Sequence, residues 1–403
     1  MRRFETLGLL LLIWSSWLLA QERYVIEEII VTAQRMEESA GKVPIALNAF
    51  DDAMIEDRQI IALADLQIFS PNLNYTTTNT AQMAFSIRGV GTLVSSEAES
   101  GISLHTNEVP LPPNQPPIEL YDVQRIEVLR GPQGTLYGRN ATGGVINVVT
   151  QKPNFDAVSG YLDAEAGQHD LLRLRGALNV PVNDSLAFRV AGLSLERDGY
   201  TDNLAGGQVP GMRDEIDGRD LHSVRASATW RISERSEMSV LYERFEENDD
   251  RAFTHNVLCR TALVGAGITG CEPGEFGLEP ANPSAAIYAL TYALRGVTVQ
   301  GARDAETGLV YQYPRPLITN LRDVHIDLGP TYELEQDLWQ LSFRHQFDWG
   351  EVSLSGGYQQ WSRRSSVDDD NAVGHDLNPI AAAPGGVFPV SAVPAGINGV
   401  SGG

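Results

Sequence analysis

The sequence predicts an α+β domain followed by part of an antiparallel transmembrane β-barrel. Three observations carry that reading. A glycine-rich stretch at Val123–Thr150 is flanked by strand-like alternation. Beyond Pro153, apolar and polar residues alternate in segments of about ten. After the first twenty residues no stretch is apolar and long enough to form a transmembrane helix, so further spanning falls to strands, which in lipid close into a barrel.

Residues 1–20 fit a secretory signal peptide, with Arg2 and Arg3 ahead of an apolar run, Leu7–Leu19, and Ala20 at the cleavage point. The alternative, a membrane anchor, suits the run less well, because Ser15 and Ser16 interrupt it. Residues 21–42 read as an exposed, extended segment whose Ile29-Ile30-Val31 core has high β-propensity. Such a strand either adds to a partner's sheet edge or is an ordinary N-terminal strand.

Residues 43–155 read as one compact α+β domain. Asp51–Ile68 has helical spacing, with Met54, Ile55, Ile60, Leu63 and Leu66 apolar, and a polar, Thr-rich stretch follows at Asn72–Asn79. In Val123–Thr150, Gly131, Gly134, Gly138, Gly143 and Gly144 mark tight turns. Ile126 and Val128 oppose Arg125, Glu127 and Leu129, and Arg130 and Arg139 add to the charge on one side. No Gly-Lys-Ser/Thr follows, which argues against a phosphate-binding P-loop.

Residues 156–403 supply seven candidate strands at about 158–168, 170–181, 185–197, 220–232, 237–247, 336–348 and 351–364. In Leu221–Ile232, Val224, Ala226, Ala228, Trp230 and Ile232 face one way, and Ser223, Arg225, Ser227, Thr229 and Arg231 the other. Trp339, Leu341 and Phe343 likewise oppose Gln340, Ser342 and Arg344. Arginine-bearing inner faces make a poor sandwich core but suit a barrel lumen. Short turns alternate with long connections near 198–219, 248–335 and after 365.

With 52 acidic and 30 basic residues the net charge is −22, which argues against nucleic-acid binding. Acidic runs at Glu243–Asp250 and Asp368–Asp370 read either as solvated loops or as surfaces for cationic or metal-bearing ligands. Cys259 and Cys271 read as a loop disulfide in an exported chain, with a two-thiol metal site as the alternative. Histidines are scattered and no catalytic motif is present, so neither enzymatic activity nor a resident cofactor or metal is expected.

Three motifs carry a family resemblance. Val123–Thr150, including Asn140, resembles the plug-domain signature of TonB-dependent outer-membrane receptors. Phe85–Gly91, with Arg88 and Gly89, resembles the upstream plug motif. Glu28, Ile29, Ile30, Val31, Thr32 and Ala33 resemble the TonB box. The resemblance implies a plug inside an outer-membrane barrel surrounded by outer-membrane lipid. It implies energised uptake of a scarce solute, most commonly a ferric siderophore. TonB, with its inner-membrane complex, would grip residues 28–33. It also implies charge pairs between plug and barrel wall or within the plug, with Arg88, Arg125, Glu127, Arg130 and Arg139 as the candidates.

Plugged transporters have about 22 strands. Seven in about 250 residues therefore suggest the N-terminal part of a longer receptor, since 22 would need on the order of 780. A binding fragment without transport is the alternative. One departure stands out: Ser103–Pro110 replaces the family's usual Tyr-Val-Asp-Gly-Val-like strand and puts a local hairpin in doubt.

Overall fold

The computed structural model describes residues 29–36, 38–77, 83–91, 100–112, 119–204, 206–207, 212–251, 320, 322–324, 326 and 328–366, together with the backbone of four short strands between 261 and 311. Its N-terminal domain is built on a five-stranded sheet in the order β3-β9-β10-β7-β8. These strands are β3 (Leu47–Asp51), β7 (Ile102–Thr106), β8 (Val109–Pro110), β9 (Val123–Arg130) and β10 (Gly144–Thr150). β10 runs antiparallel to β9 and parallel to β7. Beside it lie a hairpin of β1 (Ile30–Val31) with β2 (Glu38–Ser39), and a small sheet of β4 (Leu73–Thr77), β5 (Met83–Ile87) and β6 (Val90–Gly91).

The helical spacing over 51–68 becomes two short helices rather than one. α1 (Asp52–Asp57) starts where the Asp51 carboxylate accepts from the Met54 N–H at 2.8 Å. It stops at Gln59, which adopts a positive φ of 52°. The Asp65 carboxylate then accepts from the Ile61 and Ala62 N–H groups, both at 2.9 Å, and α2 (Leu66–Phe69) follows a single 3-10 turn. The break lets Ile60, Leu63 and Leu66 all point into a core with Phe50, Ile87, Ile126, Val128 and Ile146. Strand alternation in β9 sends Leu129 to the opposite face, where Val31, Ala33, Tyr137 and Val145 close a second cluster.

The hairpin left in doubt at 103–110 is formed: β7 pairs with β8 across Asn107 and Glu108, both at positive φ (50° and 67°). Two consecutive left-handed residues make the hairpin turn whose twist matches the strands, and Asn is favoured there.

Seven antiparallel strands follow in one sheet, ordered β11-β12-β13-β16-β17-β22-β23. They are β11 (Ser159–Ala166), β12 (Leu172–Asn183), β13 (Leu186–Arg197), β16 (Arg219–Ser233), β17 (Ser236–Asp249), β22 (Thr331–Phe347) and β23 (Gly350–Ser366). The six numbers between are short pairs: β14 (Thr201–Asp202) with β15 (Glu215–Ile216), β18 (Thr261–Val264) with β19 (Ile268–Cys271), and β20 (Ala302–Arg303) with β21 (Val310–Tyr311). Two-residue turns at 184–185, 234–235 and 348–349 lie at one end, and the long connections at the other.

Six of the seven strands have 12 or more residues, enough to cross a bilayer at a tilt. Val190, Val224, Trp230, Trp339, Leu341 and Leu354 stand exposed on the outer face, while Arg225, Thr229 and Gln340 are buried on the inner face, against or near the N-terminal domain.

Candidate functional site: the docked N-terminal segment and the seam between domain and wall

The 28–33 segment is not the exposed arm that the sequence suggests. Among its described residues Ile30 is 45% exposed, but Val31, Thr32 and Ala33 are buried. Val31 and Ala33 supply the apolar reason, because they complete the cluster on the outer face of β9 and β10. Thr32 supplies the polar one. Its N–H donates to Glu127 Oε1 at 2.8 Å, its carbonyl accepts from the Tyr137 hydroxyl at 3.2 Å, and its Oγ1 accepts from Arg125 at 3.1 Å.

Glu127 is wholly buried, and also accepts from Arg125 Nε at 2.7 Å and Asn147 Nδ2 at 3.3 Å. A buried carboxylate with this many donors is a fixed anchor, and hydrogen bonds to a charged group are the strong ones. Ile30 and Val31 pair with Ser39 and Glu38, so one edge of the segment is already occupied.

The glycine motif makes the turns that bring these groups together. Gly131 and Gly138 sit at φ of 118° and 81°. Between them α3 (Gly134–Tyr137) presents Tyr137 to Thr32. Gly143 lies where a Cβ would come within 2.7 Å of Ile102. Asn140 takes a positive φ of 64°, and Gly89 one of 79°.

Of the five charges expected to pair, Arg125 and Glu127 do so at 2.7 Å, inside the domain. Arg130 donates to the Pro71 carbonyl at 3.5 Å, and Arg88 and Arg139 are exposed. The described contacts to the wall run through residues that no motif singles out. Arg189 of β13 pairs with Asp122, its Nε donating at 2.8 Å. Arg219 of β16 reaches Glu119 at 2.9 Å and Glu247 at 3.0 Å.

Tyr121 is fully enclosed: its hydroxyl lies 2.7 Å from Ser223 Oγ and donates to Glu243 at 3.2 Å, and the Arg225 guanidinium stacks 4.3 Å from its ring centre. Burial pushes the phenol of Tyr121 well above its ordinary value. Three consecutive wall strands thus hold Glu119–Asp122. The sequence offers no spacing signal for them, because each pairs with a partner at least 67 residues away.

Below this seam a cavity of ≈ 600 Å³ opens between the domain and the wall. Ile29, Thr32, Asp51 and Arg125 line one side, and Ser239, Ser342 and Ser355 the other. Cys259 and the side chain of Cys271 lie outside the described residues, as do residues 1–28 and 367–403. Among the described residues, Glu196, Asp220 and His222 form the one trio able to offer a metal three ligand atoms, and all three are exposed.

Residues 39–145 match the TonB-dependent Receptor Plug Domain. A TonB-dependent receptor plug is therefore present in this chain. Its N-terminal domain is the plug, and its seven-stranded sheet is part of the barrel wall.

The chain is 32% identical over 164 residues to the pesticin receptor of Yersinia pestis, covering 40% of this chain and 24% of that one. It is 33% identical over 120 residues to the metal-pseudopaline receptor CntO of Pseudomonas aeruginosa, covering 29% and 15%. The fold resembles the ferric yersiniabactin uptake receptor FyuA from Yersinia pestis, with TM-score 0.58 and 21% identity, over 82% of this chain and 42% of that one. It also resembles the siderophore receptor PiuA from Acinetobacter baumannii, with TM-score 0.56 and 13% identity, over 82% and 38%. The chain spans about a quarter of the length of the pesticin receptor.

Proposed function

We propose that this receptor chain sits in the outer membrane and takes part in energised uptake of a scarce solute, a ferric siderophore being the first candidate. In this reading residues 1–20 are removed on export, residues 21–42 carry the TonB box, residues 43–155 plug the lumen and residues 156–403 form wall and outer loops. TonB, driven by its inner-membrane complex, grips residues 28–33. The supporting observation is the docked segment: Thr32 is fastened to Glu127, Arg125 and Tyr137 by bonds that a pulling partner can break one after another.

Receptors for siderophores among the relatives support the solute class. In the plug, the mechanism assigns Arg125 and Glu127 to holding the box. Glu119, Tyr121 and Asp122 keep the rest of the plug on the wall while the box is drawn.

The test is deletion of residues 28–33 in the full-length receptor, with uptake of 55Fe-loaded yersiniabactin, ferrioxamine B and a catecholate siderophore measured beside binding of each. Uptake is expected to vanish for the solute that binds, with binding unchanged. Uptake that survives the deletion rules out energisation through this segment.

A further inference from the structure

We propose that acid releases the docked N-terminal segment: a proton taken up by the buried His105 displaces Arg35 from Glu108, the group that both side chains reach. The uptake reading above supplies only the meaning of release, since it makes residues 28–33 the partner's handle. The release itself involves no partner.

The shared group is the first observation. Arg35 closes the turn that Thr32 opens, its N–H donating to the Thr32 carbonyl at 2.8 Å. Its guanidinium then reaches across the plug. Nη1 donates to the Glu108 carbonyl at 3.0 Å and pairs with the Glu108 carboxylate at 3.3 Å, and Nε donates to the Leu136 carbonyl at 3.2 Å. His105 Nδ1 meets the same Glu108 carbonyl at 3.2 Å. One oxygen thus faces a permanent cation and a neutral imidazole. A second cation beside it is repelled by the first, so docking of Arg35 and protonation of His105 oppose each other.

The surroundings of His105 are the second. The ring is wholly buried, and the Tyr137 ring stands edge-on to it with centres 5.1 Å apart. The Arg35 guanidinium lies 4.5 Å from the centre of that same Tyr137 ring, whose hydroxyl donates to Thr32. Tyr137 therefore touches both the imidazole and the docked segment. On β10, Asn147 is the register partner of His105, and its amide is committed to Glu127 and to the Glu108 N–H. Glu127 is in turn held by Arg125 and Thr32. On its own strand the Ser103 hydroxyl meets Nε2 at 2.9 Å. Departure of Arg35 frees the Glu108 carboxylate to serve an imidazolium. The added proton comes from solvent to Nε2, and the Ser103 hydroxyl turns from donor to acceptor.

Linkage fixes the sign. Burial holds the docked imidazole neutral, with a pKa of about 4, and the nearby Arg35 charge adds to this while the Glu108 carbonyl opposes it. An ordinary histidine titrates near about 6.5. Docking is therefore full above that value and weakens as pH falls toward 4, by at most about thirtyfold between pH 7.5 and 5. All the groups of the plug that exchange partners lie in 103–110, where this chain departs from the family pattern.

The experiment is amide hydrogen exchange in the full-length receptor in phospholipid vesicles at pH 7.5 and 5.0, each rate divided by the intrinsic rate at that pH. Protection of residues 31–35 is expected to fall about tenfold in acid, with α1 (Asp52–Asp57) as the unchanged control, because opening that helix leaves His105 buried. His105→Asn should abolish the fall. Glu108→Gln, at a partly exposed position that tolerates the change, leaves the imidazolium no carboxylate and should shrink the fall to threefold or less. No fall in the wild type, a fall of wild-type size in either variant, or an equal fall in α1 overturns the proposal. None of these results depends on uptake, which deletion of residues 28–33 decides, so the two readings fail separately.

Discussion

At the scale of single residues, two side chains decide how the plug behaves. Thr32 meets the Glu127 anchor with its N–H and hydroxyl. Valine has nearly the same shape but no hydroxyl, so Thr32→Val leaves Arg125 and Glu127 short of a partner at a cost of about 2 kcal/mol. Amide exchange across residues 31–33 should therefore quicken at least tenfold in Thr32→Val and stay near wild type in Thr32→Ser. Equal exchange in both variants would show that the hydroxyl does not hold the segment.

His105 makes the second case. It is wholly buried in β7, and its pKa falls to about 4 because burial disfavours the imidazolium. Its Nδ1 faces the Glu108 carbonyl at 3.2 Å, so Nδ1 carries the proton and Nε2 accepts from the Ser103 hydroxyl at 2.9 Å. Because the folded pKa is depressed, the unfolded chain binds the extra proton between about pH 6.5 and 4. Stability is then full above that window and falls as pH drops through it, by on the order of 3 kcal/mol. The unfolding midpoint of the plug should drop between pH 7.5 and 4.5, and His105→Asn should flatten the dependence.

At the scale of elements, the turns and the seam respond differently to change. Gly91 sits at φ 144° with Phe85 O only 2.2 Å from where a Cβ would stand. Since that contact is backbone, nothing can give way cheaply. Gly91→Ala should cost about 2 kcal/mol or more and lower the plug's thermal midpoint, without changing secretion. The seam answers to charge: Arg189→Ala strands the buried Asp122, a loss of about 3–5 kcal/mol, whereas the paired replacement Arg189→Met with Asp122→Asn, which keeps a residue suited to the positive φ of 50° there, should recover most of it. If the single and double variants unfold alike, the ion pair is not what holds that corner.

Element by element, the wall strands were legible from period-two alternation, because a strand with lipid on one side and lumen on the other must alternate. The observed strands β12 at 172–183 and β16 at 219–233 overlap those read from sequence at 170–181 and 220–232. The 102–110 hairpin was not legible from the resemblance, since its signal lies in the left-handed tolerance of Asn107 and not in a family-like strand.

At the scale of the whole molecule, an apolar outer face and a polar inner face divide the same strands. Leu341 and Ser342 are neighbours in β22 with opposite surroundings, Leu341 exposed outward and Ser342 lining the cavity. Leu341→Arg should reduce assembly into lipid bilayers by about 2–4 kcal/mol if it lies near the midplane, while Ser342→Arg should leave assembly intact. Urea-titrated folding into vesicles reads both.

The sequence by itself determined the order of parts, the faces of the strands and the glycine turns, because periodicity and backbone freedom are local properties that a chain carries wherever it folds. It also placed Arg125 and Glu127 on one face of one strand, two residues apart, and they pair there. Only the tertiary structure decided that residues 30–33 fold back onto Glu127, that the wall is gripped by Glu119, Tyr121 and Asp122, and that the hydroxyls of Thr229, Ser239, Ser342 and Ser355 line up across β16, β17, β22 and β23. Those arrangements join residues tens to hundreds of positions apart. Their energies come from shared desolvation and register, which exist only once the plug and the wall enclose the space between them.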